Sequence, residues 1–107
     1  HHKLNNLVII IDNNKLQSLT YTNKTLNIDP IDKKFKSFGC KVLSVNGHNH
    51  KELKKNLKVF DKKKPLVIIA NTIKGKGVSF MENNIAWHYK SPTKKQLIKG
   101  IEEIDNA

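Results

Sequence analysis

In this 107-residue chain the side chains best suited to chemistry gather at the ends of two apolar runs. The first run, Leu7 to Ile11, gives way to Asp12-Asn13-Asn14-Lys15-Leu16. An Asn offers a neutral oxygen to a hard cation, and Mg²⁺ typically takes one or two carboxylates plus phosphate oxygens and waters. One Asn and one loop carbonyl would therefore make half of a metal site, although the same residues also suit an ordinary strand-end turn. The second run, Leu66 to Ala70, leads to Lys74-Gly75-Lys76-Gly77 and then to the pair Trp87-His88. The glycine pair could cradle a phosphate on backbone N–H groups, but it lacks the strand-to-helix setting of a P-loop. His88 is more informative. An imidazole held by an aromatic neighbour in a ligand loop can hydrogen-bond a phosphate or carry a proton near neutral pH. Its plain alternative is a packed Trp followed by a solvated His.

Other candidates carry less. His48 and His50 alternate in a turn, with no further His, Cys or carboxylate at ligand spacing to complete a metal site. Cys40 is the only cysteine, so an internal disulfide and a cysteine-based zinc site are excluded, and its place after Gly39 fits a partly buried thiol. The net charge is +11, which raises nucleic acid as a partner. Yet every basic residue is Lys and none is Arg, the usual bidentate reader of phosphate and bases. The Lys excess, Lys62 to Lys64 included, fits a compositional drift better than a selected patch, and nucleic acid is not the expected partner. No apolar run approaches the roughly 20 residues that span a bilayer, and no signal peptide is visible. A cytoplasmic location without membrane contact is expected.

These residues need elements to position them. Leu7 to Ile11 reads as a buried strand, and Lys15 to Ile28 as a long loop. Asp29 can cap a helix whose first position suits Pro30, with Ile31, Phe35 and Phe38 on one face and Gly39 as its stop. Val42 to Val45 is a second strand, closed by Asn46-Gly47. Leu53, Leu57 and Phe60 give an amphipathic helix from His50 to Phe60. Pro65 to Asn71 is a third strand, Thr72 to Pro92 a loop, and Thr93 with Gln96 a capping box for a last helix. That helix would turn Leu97, Ile98, Ile101 and Ile104 inward. Strands separated by helices imply an α/β fold with a parallel sheet, here of about three strands with crossover helices, whose ligands lie outside the carboxyl ends of the strands.

The stretches HHKLNNLVIIIDNNKLQ, VNGHNH and above all NTIKGKGVSFMENNIAWHYKSP resemble the thiamine-diphosphate-binding domain of the transketolase family, in particular the short N-terminal subunit of split bacterial enzymes. The resemblance covers nearly the whole chain and corresponds to the later half of that domain, so residues 1–107 are expected to be its later part, incomplete at the N-terminus. His1 and His2 then resemble the end of a preceding helix and not a purification tag.

The resemblance implies a cofactor, thiamine diphosphate, held through Mg²⁺ or Ca²⁺. Asn14 would give the metal its side-chain oxygen and Leu16 its main-chain carbonyl, while His88 would sit by the cofactor diphosphate and assist proton removal. Gly75 to Gly77 would belong to the mobile loop that carries His88. The implied activity is transfer of a two-carbon ketol unit between sugar phosphates. The implied partners are a second protomer and a pyrimidine-binding domain or C-terminal subunit, which carries the cofactor-activating Glu, because the family's sites lie between the two domain types of different subunits; the family's Gly-Asp-Gly metal motif is expected just upstream of His1. Alone it would be incomplete and inactive. Ser18-Leu19-Thr20 departs from the apolar residue and Asp-Gly that many relatives carry. Two alternatives stand beside this: a deoxyxylulose-phosphate-synthase-like or other thiamine-diphosphate sugar enzyme, and a non-catalytic basic remnant that binds partners or nucleic acid.

Overall fold

A computed structural model describes residues 1–59 and 61–106. Three strands, β1 (Val8–Asn13), β2 (Lys41–Asn46) and β3 (Leu66–Asn71), form a parallel sheet in the order β1-β3-β2. The helices are α1 (Thr22–Thr25), α2 (Ile31–Ser37), α3 (His50–Asn56) and α4 (Lys94–Asp105), with a short 3₁₀ helix at Ile85–His88. The chain divides into two compact units, one of His1–Asn13 with Leu26–Thr72, the other of Asn14–Thr25 with the residues from Ile73 onward.

The first unit is built on β3. Successive strand residues point to opposite faces, so a continuous apolar run serves a strand covered on both sides. Leu66, Ile68 and Ala70 join Val45, Leu43, Val8 and Leu53 of α3 on one face. Val67 and Ile69 join Ile31 and Phe35 of α2, with Cys40, Val42, Ile9 and Ile11, on the other. The free thiol of Cys40 is half-buried, as its place after Gly39 suggested.

β1 differs from its sequence reading. Its apolar run suggests a buried strand, but it lies at the sheet edge, and Ile10, level with the fully buried Ile68, is 56% exposed. The reason is coverage: α3 packs against β2 and leaves the β1 side of that face open. α2 also begins later than expected. Pro30 occupies the cap position, where it makes no side-chain cap bond, and the Asp29 N–H donates to Asn27 Oδ1 at 3.0 Å. Gly39 does end this segment in the left-handed region, at φ 82°. Phe38, expected on the inner face, falls at the C-cap and is 78% exposed. α3 ends at Asn56 with Leu57 as its cap, and Phe60 lies outside the described residues. The expected loop from Lys15 to Ile28 contains α1. His1 and His2 are exposed and not helical.

At the carboxyl end of the sheet Asn13, Asn71 and Asn46 stand level. Asn13 Nδ2 donates to Asn71 Oδ1 at 2.9 Å, and Asn71 Nδ2 donates to Ser44 Oγ at 2.9 Å and to the Val45 carbonyl at 3.2 Å. Thr72 Oγ1 donates to Asp12 Oδ1 beside them. These amides link the three strand ends where ladder pairing stops, which accounts for the polar residues that punctuate every apolar run.

Ile68 and Ile10 test this account of the core. Ile68→Ala should cost about 3 kcal/mol by leaving a cavity in β3, while Ile10→Ala should cost no more than about 0.5 kcal/mol. Urea titration of the two variants checks the difference.

Candidate functional site

The second unit holds the residues singled out for chemistry. Asn14 opens a tight turn in which its Oδ1 accepts the Leu16 N–H at 2.9 Å. Between them Lys15 sits in the left-handed region at φ 62°, where a non-glycine residue is uncommon and marks a backbone held by its surroundings. Its carbonyl accepts the Thr22 N–H at 2.9 Å, and Leu16 bridges to Tyr21. The Gln17 N–H donates to the Thr20 carbonyl at 3.0 Å, so Ser18-Leu19-Thr20 forms a closed turn with Leu19 74% exposed.

The segment from Ile73 to His88 is ordered by its own backbone. Gly75 and Gly77 both have positive φ, at 74° and 93°. A Cβ on Gly75 would lie 2.6 Å from the Met81 carbonyl oxygen, so only glycine fits there, whereas a Cβ on Gly77 would meet open space. The Lys74 carbonyl accepts the Asn83 N–H at 2.9 Å, closing the turn. Asn84 caps the 3₁₀ helix by accepting the Ala86 N–H at 3.0 Å. Trp87 Nε1 donates to the Phe80 carbonyl at 2.8 Å, and the two rings lie 5.3 Å apart. Trp87 thus packs on Phe80 and not on His88, which is exposed, as in the plain alternative; the ring that meets the imidazole, edge-on at 4.8 Å, is that of Tyr89.

Asn14, Leu16 and His88 line one cleft of about 130 Å³, together with Gln17 and Lys74. Residues separated by some 70 positions in sequence thus meet, as the sequence reading required. Gln17 and the Lys74 side chain were missed. Lys74 had a signal in the Lys-Gly-Lys-Gly spacing, which pointed to backbone N–H groups and not to the ammonium; Gln17 had none. The lining combines a cation, an imidazole and amides, with no carboxylate. That set suits an anion. The cleft falls below the about 300 Å³ at which sites for whole small molecules begin, so it accommodates one end of a ligand. Among the described residues no three His, Cys, Asp or Glu side chains converge on a metal position, and His48 and His50 are no exception. No helix of the described residues is long and apolar enough to cross a membrane.

α4 completes this unit, with one correction. The capping box of Thr93 and Gln96 is present. Leu97, Ile98, Ile101 and Ile104, expected to face inward, are all more than half exposed, and the buried residue is Gly100. The helix docks on the face that carries Gly100, beside Val78 and Phe80. Glu103, one turn along that face, accepts from Ser79 N at 2.5 Å and from Ser79 Oγ at 2.7 Å. These bonds, above all that of the Ser79 hydroxyl, hold the Glu103 carboxyl below its ordinary value of 4.5.

An open parallel α/β sheet, with a separate unit in which a strand-end Asn turn meets a glycine-bearing histidine loop, defines the class as an α/β domain with a small cleft suited to an anion. The family follows from comparison: residues 1–104 match the model described as transketolase, thiamine diphosphate binding domain, and the chain belongs to that family. It is 40% identical over 104 residues to an apulose-4-phosphate transketolase subunit of Actinobacillus succinogenes, covering 96% of this chain and 38% of that protein. It is 36% identical over 105 residues to the transketolase of Rattus norvegicus, covering 96% of this chain and 16% of that protein. A crystal structure of Campylobacter jejuni transketolase superposes with a TM-score of 0.86 at 30% identity, covering 97% of this chain and 16% of that one. The parallel α/β fold expected from the sequence is thus the family's own.

The glycines give a contrasting prediction. Gly75→Ala should displace the loop and change the emission of Trp87, the only tryptophan, because backbone atoms block the added methyl. Gly100→Ala would place its methyl 3.6 Å from Val78 and 3.7 Å from Phe80, ordinary contacts. It should therefore stabilise the chain by about 0.5–1 kcal/mol through helix propensity, read from the thermal midpoint.

Proposed function

We propose that this chain supplies the diphosphate- and metal-holding part of a transketolase site that moves a two-carbon ketol unit from a ketose phosphate to an aldose phosphate. The observation that carries this reading is the convergence of Asn14, Leu16, Lys74 and His88 on one carboxylate-free cleft. Its donors fit the group. Amide and carbonyl oxygens are hard ligands suited to Mg²⁺ or Ca²⁺, and a diphosphate would provide the negative charge that the lining lacks. Asn14 would ligate the metal through its side-chain oxygen, which has a lone pair to spare beyond the bond from Leu16. Leu16 would ligate through its carbonyl. Lys74 would neutralise the terminal phosphate, a role in which a compact ammonium acts as a point charge.

Thiamine diphosphate, once bound, would supply stabilisation of the carbanion that carbon–carbon cleavage demands. The chain's own share would be positioning and proton movement. His88 would take a proton from a donor hydroxyl as the bond breaks and return one when the acceptor is joined. Its place in the capped 3₁₀ helix, beside Trp87 and Tyr89, holds the ring for that exchange.

The chain spans 38% of the Actinobacillus relative and 16% of the rat enzyme. The remaining metal ligand would come from a Gly-Asp-Gly in the preceding part of the same domain, and the cofactor-activating carboxylate from a pyrimidine-binding domain or companion subunit of a second protomer. The Actinobacillus relative is named as one subunit of a transketolase acting on apulose-4-phosphate, which speaks for a split enzyme and for a pathway-specific sugar phosphate.

In the assembled enzyme, Asn14→Ala should weaken Mg²⁺-dependent binding of thiamine diphosphate by about tenfold or more. His88→Ala should leave that affinity nearly unchanged and lower turnover by about 10²–10⁴. Calorimetric titration and steady-state kinetics separate the two. Equal affinity in the wild type and Asn14→Ala would refute the metal assignment.

A further inference from the structure

We propose that Glu103 of α4 is a positioning residue for His88, acting through a relay of Ser79, Phe80 and Trp87. This rests on the reading of His88 as a cofactor-facing residue. The relay lies wholly within the second unit. Both carboxylate oxygens of Glu103 are engaged by Ser79, one by its N–H at 2.5 Å and the other by its hydroxyl at 2.7 Å. Such a two-point, charge-assisted grip fixes direction as well as distance. Val78 and Phe80, on either side of Ser79, pack on Gly100, so the same three loop residues are held by contact and by hydrogen bonds. The Phe80 carbonyl then accepts from Trp87 Nε1 at 2.8 Å and from Asn84 Nδ2 at 3.3 Å. Those two residues are a member and the N-cap of the 3₁₀ helix that ends at His88. A displacement of Ser79 therefore reaches the imidazole through bonded and packed neighbours.

Among the charges that face Glu103, Lys99 favours the ionised grip and the carboxylates oppose it. Lys99 of α4 lies 3.5 Å from Glu103 Oε1 and 5.7 Å from the Phe80 ring. From the loop, Glu82 lines a groove with Ser79, Lys99 and Glu103, distinct from the Asn14–His88 cleft, and it is paired with Lys76 at 3.3 Å and accepts the Gly77 N–H at 3.1 Å. Glu102 of α4 is the other carboxylate there. Protonating Glu103 removes one acceptor and weakens the other. Because its folded-state pKa is depressed, the grip contributes fully above pH 4.5 and is lost as pH falls through the lower folded value.

The test uses the indole resonance and emission of Trp87 in the full chain without cofactor. Glu103→Ala and Ser79→Ala should each shift the indole resonance and move the emission to the red, and the double variant should go no further than either. Glu103→Gln, which keeps one acceptor oxygen, should restore part of the wild-type signal, and Glu102→Ala should leave it unchanged. On acidification the wild type should show a Trp87 transition below pH 4.5 that Glu103→Gln lacks. Unmoved Trp87 signals in Glu103→Ala, with only a lower melting temperature, would overturn the proposal and leave Glu103 as a plain anchor for α4. If Glu103→Ala does not fold, the wild-type acid transition and Glu103→Gln decide in the same way. A second arm measures Mg²⁺-dependent binding of thiamine diphosphate and turnover in the assembled enzyme, where Glu103→Ala should leave the affinity nearly unchanged, as His88→Ala does, and lower turnover by about threefold to tenfold. A Trp87 response with no cofactor binding even in the wild type would uphold the relay and defeat the cofactor reading instead.

Discussion

β3 is hydrogen-bonded along both edges and covered on both faces, and the rest of the first unit depends on that double constraint. A strand in this position cannot carry polar side chains between its ends, because each would be buried without a partner. It therefore reads as an uninterrupted apolar run, and its pairing sets the level of its neighbours. Parallel pairing then brings all three carboxyl ends to one edge. There the constraint reverses: backbone groups released from the ladder need partners, and asparagines supply them. The alternation between uniform apolarity and sudden polarity in the sequence is the direct record of this geometry.

That record explains what could be read in advance. The three strands, the parallel order implied by intervening helices, and the capping box at Thr93 all rest on local patterns, and the structure has them. What failed depended on packing partners. Ile10 belongs to a run as apolar as β3, yet nothing in its own segment tells an edge strand from a central one. The stripe of Leu97, Ile98, Ile101 and Ile104 obeys helical spacing, but the docked face is chosen by Gly100 and Glu103, whose fit to Val78, Phe80 and Ser79 no periodicity encodes. Phe38 keeps the helical spacing from Phe35 but falls at the C-cap, and it is exposed where Ile31 and Phe35 are covered by the sheet.

The candidate site shows the same division. Asn14, Leu16 and His88 were found from residue types, loop context and a family pattern, and they share a cleft. Lys74 was noted for its glycine neighbours, while its own side chain lines the wall. Gln17 followed from no rule, since an amide gains meaning only when a turn aims it. Local chemistry was legible where a residue type is rare and demanding. It was silent where an ordinary residue becomes useful through placement.

The turn after β2 has a chemical consequence of its own. Asn46-Gly47 is the dipeptide most prone to spontaneous loss of its amide, a reaction in which the glycine nitrogen attacks the asparagine side-chain carbonyl. Here that nitrogen donates to the Asn71 carbonyl at 2.8 Å, and Asn46 Oδ1 accepts from His48 N at 2.9 Å. A Cβ on Gly47 would collide with the Thr72 side chain, so a bulkier and chemically safer residue does not fit. The sheet end thus protects against ageing a sequence it cannot replace, and isoaspartate at this position would accumulate first in molecules whose strand ends have come apart.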